Sequence, residues 1–151
     1  MQRDNVVKEV QKRIYQITTG NGYDFSVNKV ERNPEEQPDP DSMPLVQIFE
    51  FPEITLTNST RGGMPIQTKE LQLVVEFFYK SASQGATTPD IIKFLRYIRK
   101  TIFQDGIALG GVAKEIVETE VSRVLRPPLG NRIVGMGEVL AIKYVEDFNL
   151  M

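Results

Sequence analysis

Carboxylates are the chemistry-bearing side chains that this sequence offers in quantity. Glu35, Glu36, Asp39 and Asp41 lie close together, and hard oxygen donors at that density could hold a divalent cation. The run lacks the glycine and the closing glutamate of a calcium loop, so a solvated loop is the expectation for it. Glu118 and Glu120 are two residues apart, a spacing that on a strand projects both from one face. Paired carboxylates of that kind serve glycoside hydrolysis. Glu146 and Asp147 form a second pair, adjacent in sequence. No sequence feature places either pair in a cleft, and acids are mostly surface residues. Lys93, Arg96 and Lys100, with Arg99 nearby, fall on one side of a helical stretch. They could contact phosphate or an acidic partner, and they equally describe the wet face of an amphipathic helix. The glycines at 106, 110 and 111 follow a helix instead of a strand, so a dinucleotide cradle is not expected there.

Two absences narrow the chemistry further. The chain of 151 residues contains no cysteine and no histidine. Disulfides, thiolate or imidazole zinc sites and Ser-His-Asp or Cys-His nucleophile systems are therefore excluded. A general base poised near neutrality would have to be a strongly shifted carboxylate or lysine. No catalytic, cofactor-binding or metal-ligating residue is assigned. The formal charge is −2, which disfavours a dedicated duplex binder. No signal peptide and no spanning apolar run is apparent, and the expectation is a protein without a membrane phase.

Other residues must form the scaffold. Hydrophobic residues make up 40% and charged residues 25%, ordinary values for one globular domain, expected over 1–151. Val6, Val7, Val10, Ile14 and Ile17 fall at helical spacing, with Lys8, Glu9, Gln11, Lys12 and Arg13 opposite, predicting a helix over 4–18. A short strand is expected over 23–32. Residues 33–44 hold four prolines and four acids, which rules out helix or inner strand and predicts an exposed loop. Strands are predicted at 45–51, at 54–57 and, with the cleanest alternation, at 67–79, the turn at Arg61-Gly62-Gly63 making the last the second arm of a hairpin. There Leu71, Leu73, Val75, Phe77 and Tyr79 share one face, and Phe78 sits oddly among polar neighbours on the other. Thr88-Pro89-Asp90 starts a second helix that Gly106 ends. Over 112–125, Val117, Val121 and Val124 suit a helix while Val117, Thr119 and Val121 suit a strand; the β-branched content and the following Pro127-Pro128 favour a strand, and a strand at 138–148 completes the chain. Strands run together instead of alternating with helices, so the fold class is α+β: one mostly antiparallel sheet with two main amphipathic helices packed on one face.

Three segments read as long or glycine-rich connections, 33–44, 60–66 and 126–137. On a small rigid sheet, loops of that length often carry function. Their glycine and arginine content marks Arg61, Gly62, Gly63, Arg126, Leu129, Asn131 and Arg132 as expected contacts with other protein chains.

The order of elements resembles the tail-terminator, or minor tail, proteins of lambda-type long-tailed bacteriophages. The resemblance rests on the N-terminal helix leading to Gly22-Tyr23 and on Asp41-Ser42-Met43-Pro44-Leu45-Val46-Gln47-Ile48. It rests also on Val74-Val75-Glu76-Phe77-Phe78-Tyr79, on the helix with Phe94, Leu95 and Ile98, and on Ile142-Lys143-Tyr144-Val145-Glu146-Asp147-Phe148. It implies a structural virion protein without cofactors, located at the head-proximal end of the tail and assembled in the host cytoplasm. Its implied partners are itself in a ring (usually a hexamer), the tail tube protein and a head-completion or connector protein, with DNA only as cargo through the bore. Such a ring caps the tube, stops its polymerisation and offers the head-joining surface. Another connector, head-completion or tail-tube subunit is the nearest alternative. A carboxylate-dependent enzyme and a nucleic-acid-binding module using Lys93, Arg96, Arg99 and Lys100 are further ones.

Overall fold

A computed structural model describes residues 2–148; residues 1 and 149–151 of the expected 1–151 domain lie outside the described residues. The chain forms α1 (Gln2–Tyr15), β1 (Lys29–Arg32), β2 (Leu45–Glu50), β3 (Ile54–Arg61), β4 (Met64–Lys80), α2 (Thr87–Ile102), β5 (Glu115–Val121) and β6 (Ile133–Asp147). The strands make one sheet in the order β1-β2-β4-β6-β5, and β3 also pairs with β4. All pairings are antiparallel except β1 with β2. The α+β class, with a mostly antiparallel sheet and two amphipathic helices, is as the sequence predicts.

The core lies between the helices and one face of the sheet. Leu71, Leu73, Val75 and Phe77 of β4 face Ile142, Leu140, Glu138 and Met136 of β6 in register. All four β4 residues are fully buried, as are Val6, Val7, Val10 and Ile14 of α1 and Ile91, Phe94, Ile98 and Ile102 of α2. Phe94 packs 5.1 Å from Phe25 and 5.2 Å from Phe77, ring centre to ring centre. Such tilted and edge-on contacts contribute about 0.5–1.5 kcal/mol each beyond area burial.

Several expectations are corrected. The strand expected over 23–32 is confined to Lys29–Arg32. Phe25 and Val27 do face the core, but Val27 N–H donates to the Ile17 carbonyl and not to a sheet partner. Arg13, placed among the wet residues of α1, is 2% exposed. Residues 60–66 are no loop: β3 and β4 run to Arg61 and Met64, which pair across a two-residue turn. Gly62 (φ 57°) and Gly63 (φ 79°) supply the two positive φ angles that a tight hairpin turn requires. β6 begins at Ile133, so the final loop ends sooner than predicted.

Phe78 finds its explanation on the outer face. It pairs with Gly135, and a Cβ on that glycine would lie 2.7 Å from two Phe78 ring carbons. The ring occupies the missing side chain's place and is itself 4% exposed. Gly135→Ala is expected to cost about 1–3 kcal/mol through overpacking. Urea denaturation reads this directly, and an unchanged midpoint would show that the ring is not seated there.

Candidate assembly surfaces

β4 is longer than the body it serves. At about 3.3 Å per residue, its seventeen residues span roughly 55 Å. β2 takes the edge of β4 from Leu73 to Phe78, and β3 takes the same edge from Met64 to Glu70. Phe51, Pro52 and Glu53 separate the two. The N-terminal part of β4 thus forms a hairpin arm with β3 on one edge, while β6 continues along its other edge as far as Ile66. Every residue of β3 is exposed, including Ile54, Leu56 and, across the turn, Met64 of β4. Arg61 at the tip donates to the Asp147 carboxylate at 3.3 Å.

The remaining residues expected in contacts gather at the other end of β4. Arg126 donates to the hydroxyls of Thr87 and Thr88 at 2.5 and 3.3 Å. Arg132 points to the Ala82 carbonyl at 3.5 Å. Leu129 is half-buried and Asn131 exposed. Leu129 and Arg126 line a groove of about 600 Å³ with Phe78 and Glu76 of the sheet and with Gln37 and Pro38 from the 33–44 loop. Burial raises the pKa of the Glu76 carboxyl there. Tip and base are therefore brought to opposite ends of one strand and do not meet within a chain.

The carboxylates take unequal places. Register shifts between Glu118 and Glu120, so a bulge at Thr119 sends these two side chains to opposite faces, and the expected shared face is lost. Glu118 instead neighbours Glu138, opposite Val75 on the helix-facing side. Arg99 of α2 grips Glu118 with a fork of hydrogen bonds at 2.6, 2.9 and 3.2 Å, which lowers the Glu118 pKa. Glu138 is 1% exposed, and neither carboxyl oxygen has a hydrogen-bond partner among the described residues. Burial first, and then the adjacent Glu118, raise its pKa well above the ordinary carboxyl value, so it stays protonated where Glu118 is charged. A neutral acid beside a carboxylate is a proton-sharing arrangement, here with the Glu138 side chain buried in the core. Glu146 and Asp147 are 7% and 8% exposed; Glu146 accepts from the Gln2 amide at 3.3 Å.

Glu35, Glu36, Asp39 and Asp41 are all exposed. Among the described residues, no group of three or more potential ligands is placed to hold a metal, and no helix is long and apolar enough to cross a membrane. On α2, Lys93 pairs with Asp24 at 2.9 Å and Arg99 with Glu118. Arg96 and Lys100 remain exposed.

No known protein family matches the chain, and no curated protein matches it significantly. What it does must therefore be argued from its surfaces.

Sequence reasoning missed Glu138 and Arg13, although spacing could have found both. Glu138 continues the Leu140, Ile142, Tyr144 alternation by one step, and Arg13 continues Val6, Val10 and Ile17 at helical spacing.

Proposed function

We propose that this chain is a structural subunit that closes head to tail into a ring and acts as a phage tail terminator. In this reading the ring caps the tail tube, stops its polymerisation and presents the head-joining surface. The observation that carries the self-assembly is the β3–β4 arm. Its outer strand β3 is exposed throughout, and Ile54 and Leu56 on it, with Met64 of β4 across the turn, present apolar side chains to solvent. Such a surface suits burial against another chain. Tip and base contacts at opposite ends of β4 also fit a heterologous interface, which closes into a ring when its rotation permits. The terminator role itself is drawn from the resemblance in the order of elements.

Light scattering over a range of concentration and salt is the test. A discrete ring supports the terminator, whereas open-ended polymer moves the reading to a tail-tube subunit. Arg61→Glu and Arg132→Glu are each expected to weaken assembly about tenfold while leaving the monomer's circular dichroism unchanged. Undiminished assembly in both variants would remove tip and base from the interface.

A further inference from the structure

Opposite faces of the molecule carry opposite charge, and each keeps charged side chains that make no ion pair among the described residues. One patch is the 33–44 loop, which joins β1 to β2 at one edge of the sheet. It crosses the outer face, where the Glu36 carbonyl accepts from Gln47 at 3.3 Å. Glu35, Glu36, Asp39 and Asp41 are exposed, and no salt bridge engages any of them among the described residues. Asp39 caps its own turn, accepting from the Asp41 amide at 2.9 Å, which fixes the loop's shape locally.

The other patch lies on the helix-bearing face at the β5 edge. Arg96, Arg99, Lys100 and Phe103 of the α2 region and Glu118 of β5 line an open groove of about 450 Å³. Glu118 neutralises Arg99. Arg96 and Lys100 are left without a carboxylate among the described residues, and Lys100 lies only over the Tyr23 ring, 5.3 Å from its centre. The acidic loop lies over the outer face of the sheet and the basic groove on its helix-bearing face, so the sheet separates them. No rearrangement of side chains brings them together inside one chain.

We infer that the α2–β5 groove of one copy receives the acidic 33–44 loop of the next. The inference rests on the head-to-tail self-association proposed above and names its partner surfaces. The occupant is a second copy because the complementary charge is present on this same chain, at the edge that head-to-tail packing brings to the groove. Phe103 supplies an apolar wall against which the exposed Pro40 packs, while Arg96 and Lys100 take the carboxylates. The contact is charge-steered, so it weakens as salt rises.

A charge-swap cycle tests it. Arg96→Glu with Lys100→Glu, and separately Glu35→Lys with Glu36→Lys, are each expected to weaken association in light scattering about tenfold or more. The chain carrying all four changes should recover most of the loss. All four positions are exposed, and circular dichroism checks that each variant folds. Assembly by the parent that neither reversal weakens, or a fourfold variant no better than its components, would overturn the inference and leave self-association standing. A parent that stays monomeric at the highest attainable concentration and low salt would overturn both. Duplex DNA binding that the Arg96/Lys100 reversal abolishes, without any loss of self-association, would give the groove to nucleic acid and overturn the inference as well.

Discussion

Replacing Glu138 by glutamine will stabilise the protein at neutral and alkaline pH and flatten its pH dependence. The parent buries a carboxyl without a hydrogen-bond partner, against Val75 and beside Glu118 and Arg99. Its folded pKa lies above its unfolded one, so the folded state binds the extra proton. That contribution to stability is fully present below the unfolded pKa and is lost as pH rises toward the folded pKa. Over that window the loss runs at about 1.4 kcal/mol per pH unit, after which the curve is level. The amide keeps the shape, carries no proton to lose, and can donate to Glu118. An expected gain of about 1 kcal/mol or more at pH 8 should vanish near pH 4. Urea midpoints at several pH values read the difference, and parallel curves for parent and variant would show that another group titrates. Three of the depressed carboxylates, Glu50 beside Arg32, Glu53 beside Tyr144 and Glu118 beside Arg99, act in the opposite sense, adding stability that is lost as pH falls.

Arg13→Ala is the second large effect, an expected loss of about 2–4 kcal/mol. The guanidinium is 2% exposed and spans the gap between α1 and the end of α2. It donates to Asp105 at 2.7 and 3.0 Å, to the Ile102 carbonyl at 2.8 Å and to Glu9 at 3.0 Å. Asp105 is half exposed, so water can take up the stranded carboxylate. Most of the cost is then lost packing along the arginine stem and the uncovered Ile102 carbonyl. Arg13→Met, which refills the space, should recover more than half of it. Thermal melts of both variants decide between packing and polar contacts, since a methionine as costly as alanine would assign the loss to the ion pairs and the Ile102 carbonyl.

Periodicity reports burial, and the sequence was legible where the chain buries one face. The alternation from Leu71 to Tyr79 and the spacing of Ile91, Leu95, Ile98 and Ile102 lead directly to β4 and α2, because these residues meet a core. The arm has no core to face. Thr55, Thr57, Asn58, Ser59 and Thr60 are wet on both sides, so β3 leaves only a faint pattern: the Gly-Gly pair marks the hairpin turn, but the connection reads as longer than its two residues. A converse failure affects 23–28, where Phe25 and Val27 alternate toward the core on a backbone that joins no ladder. The Glu118/Glu120 pairing fails for a third reason, since a one-residue bulge reverses every side chain beyond it and leaves no mark in composition. Of the residues chosen for contacts, sequence could mark Arg61 and Arg132 as arginines flanking turns. It could not reveal that a single strand sets them at its two ends.

The joint between β2 and β3 has a mechanical consequence. Glu53 sits in that joint, where it accepts from the Tyr144 hydroxyl and pairs with Lys69 at 3.5 Å and Arg3 at 3.6 Å. β4 and β6 pass the joint without a break, paired from Ile66–Asp147 to Lys80–Ile133. A pull applied at the hairpin tip along the strands therefore loads this ladder in shear. Its hydrogen bonds lie across the strands, so they share the force at once instead of parting one by one. The arm behaves as a stiff lever fixed to the body, and a displacement at Gly62 reaches the first turn of α1 through Glu53 and Arg3.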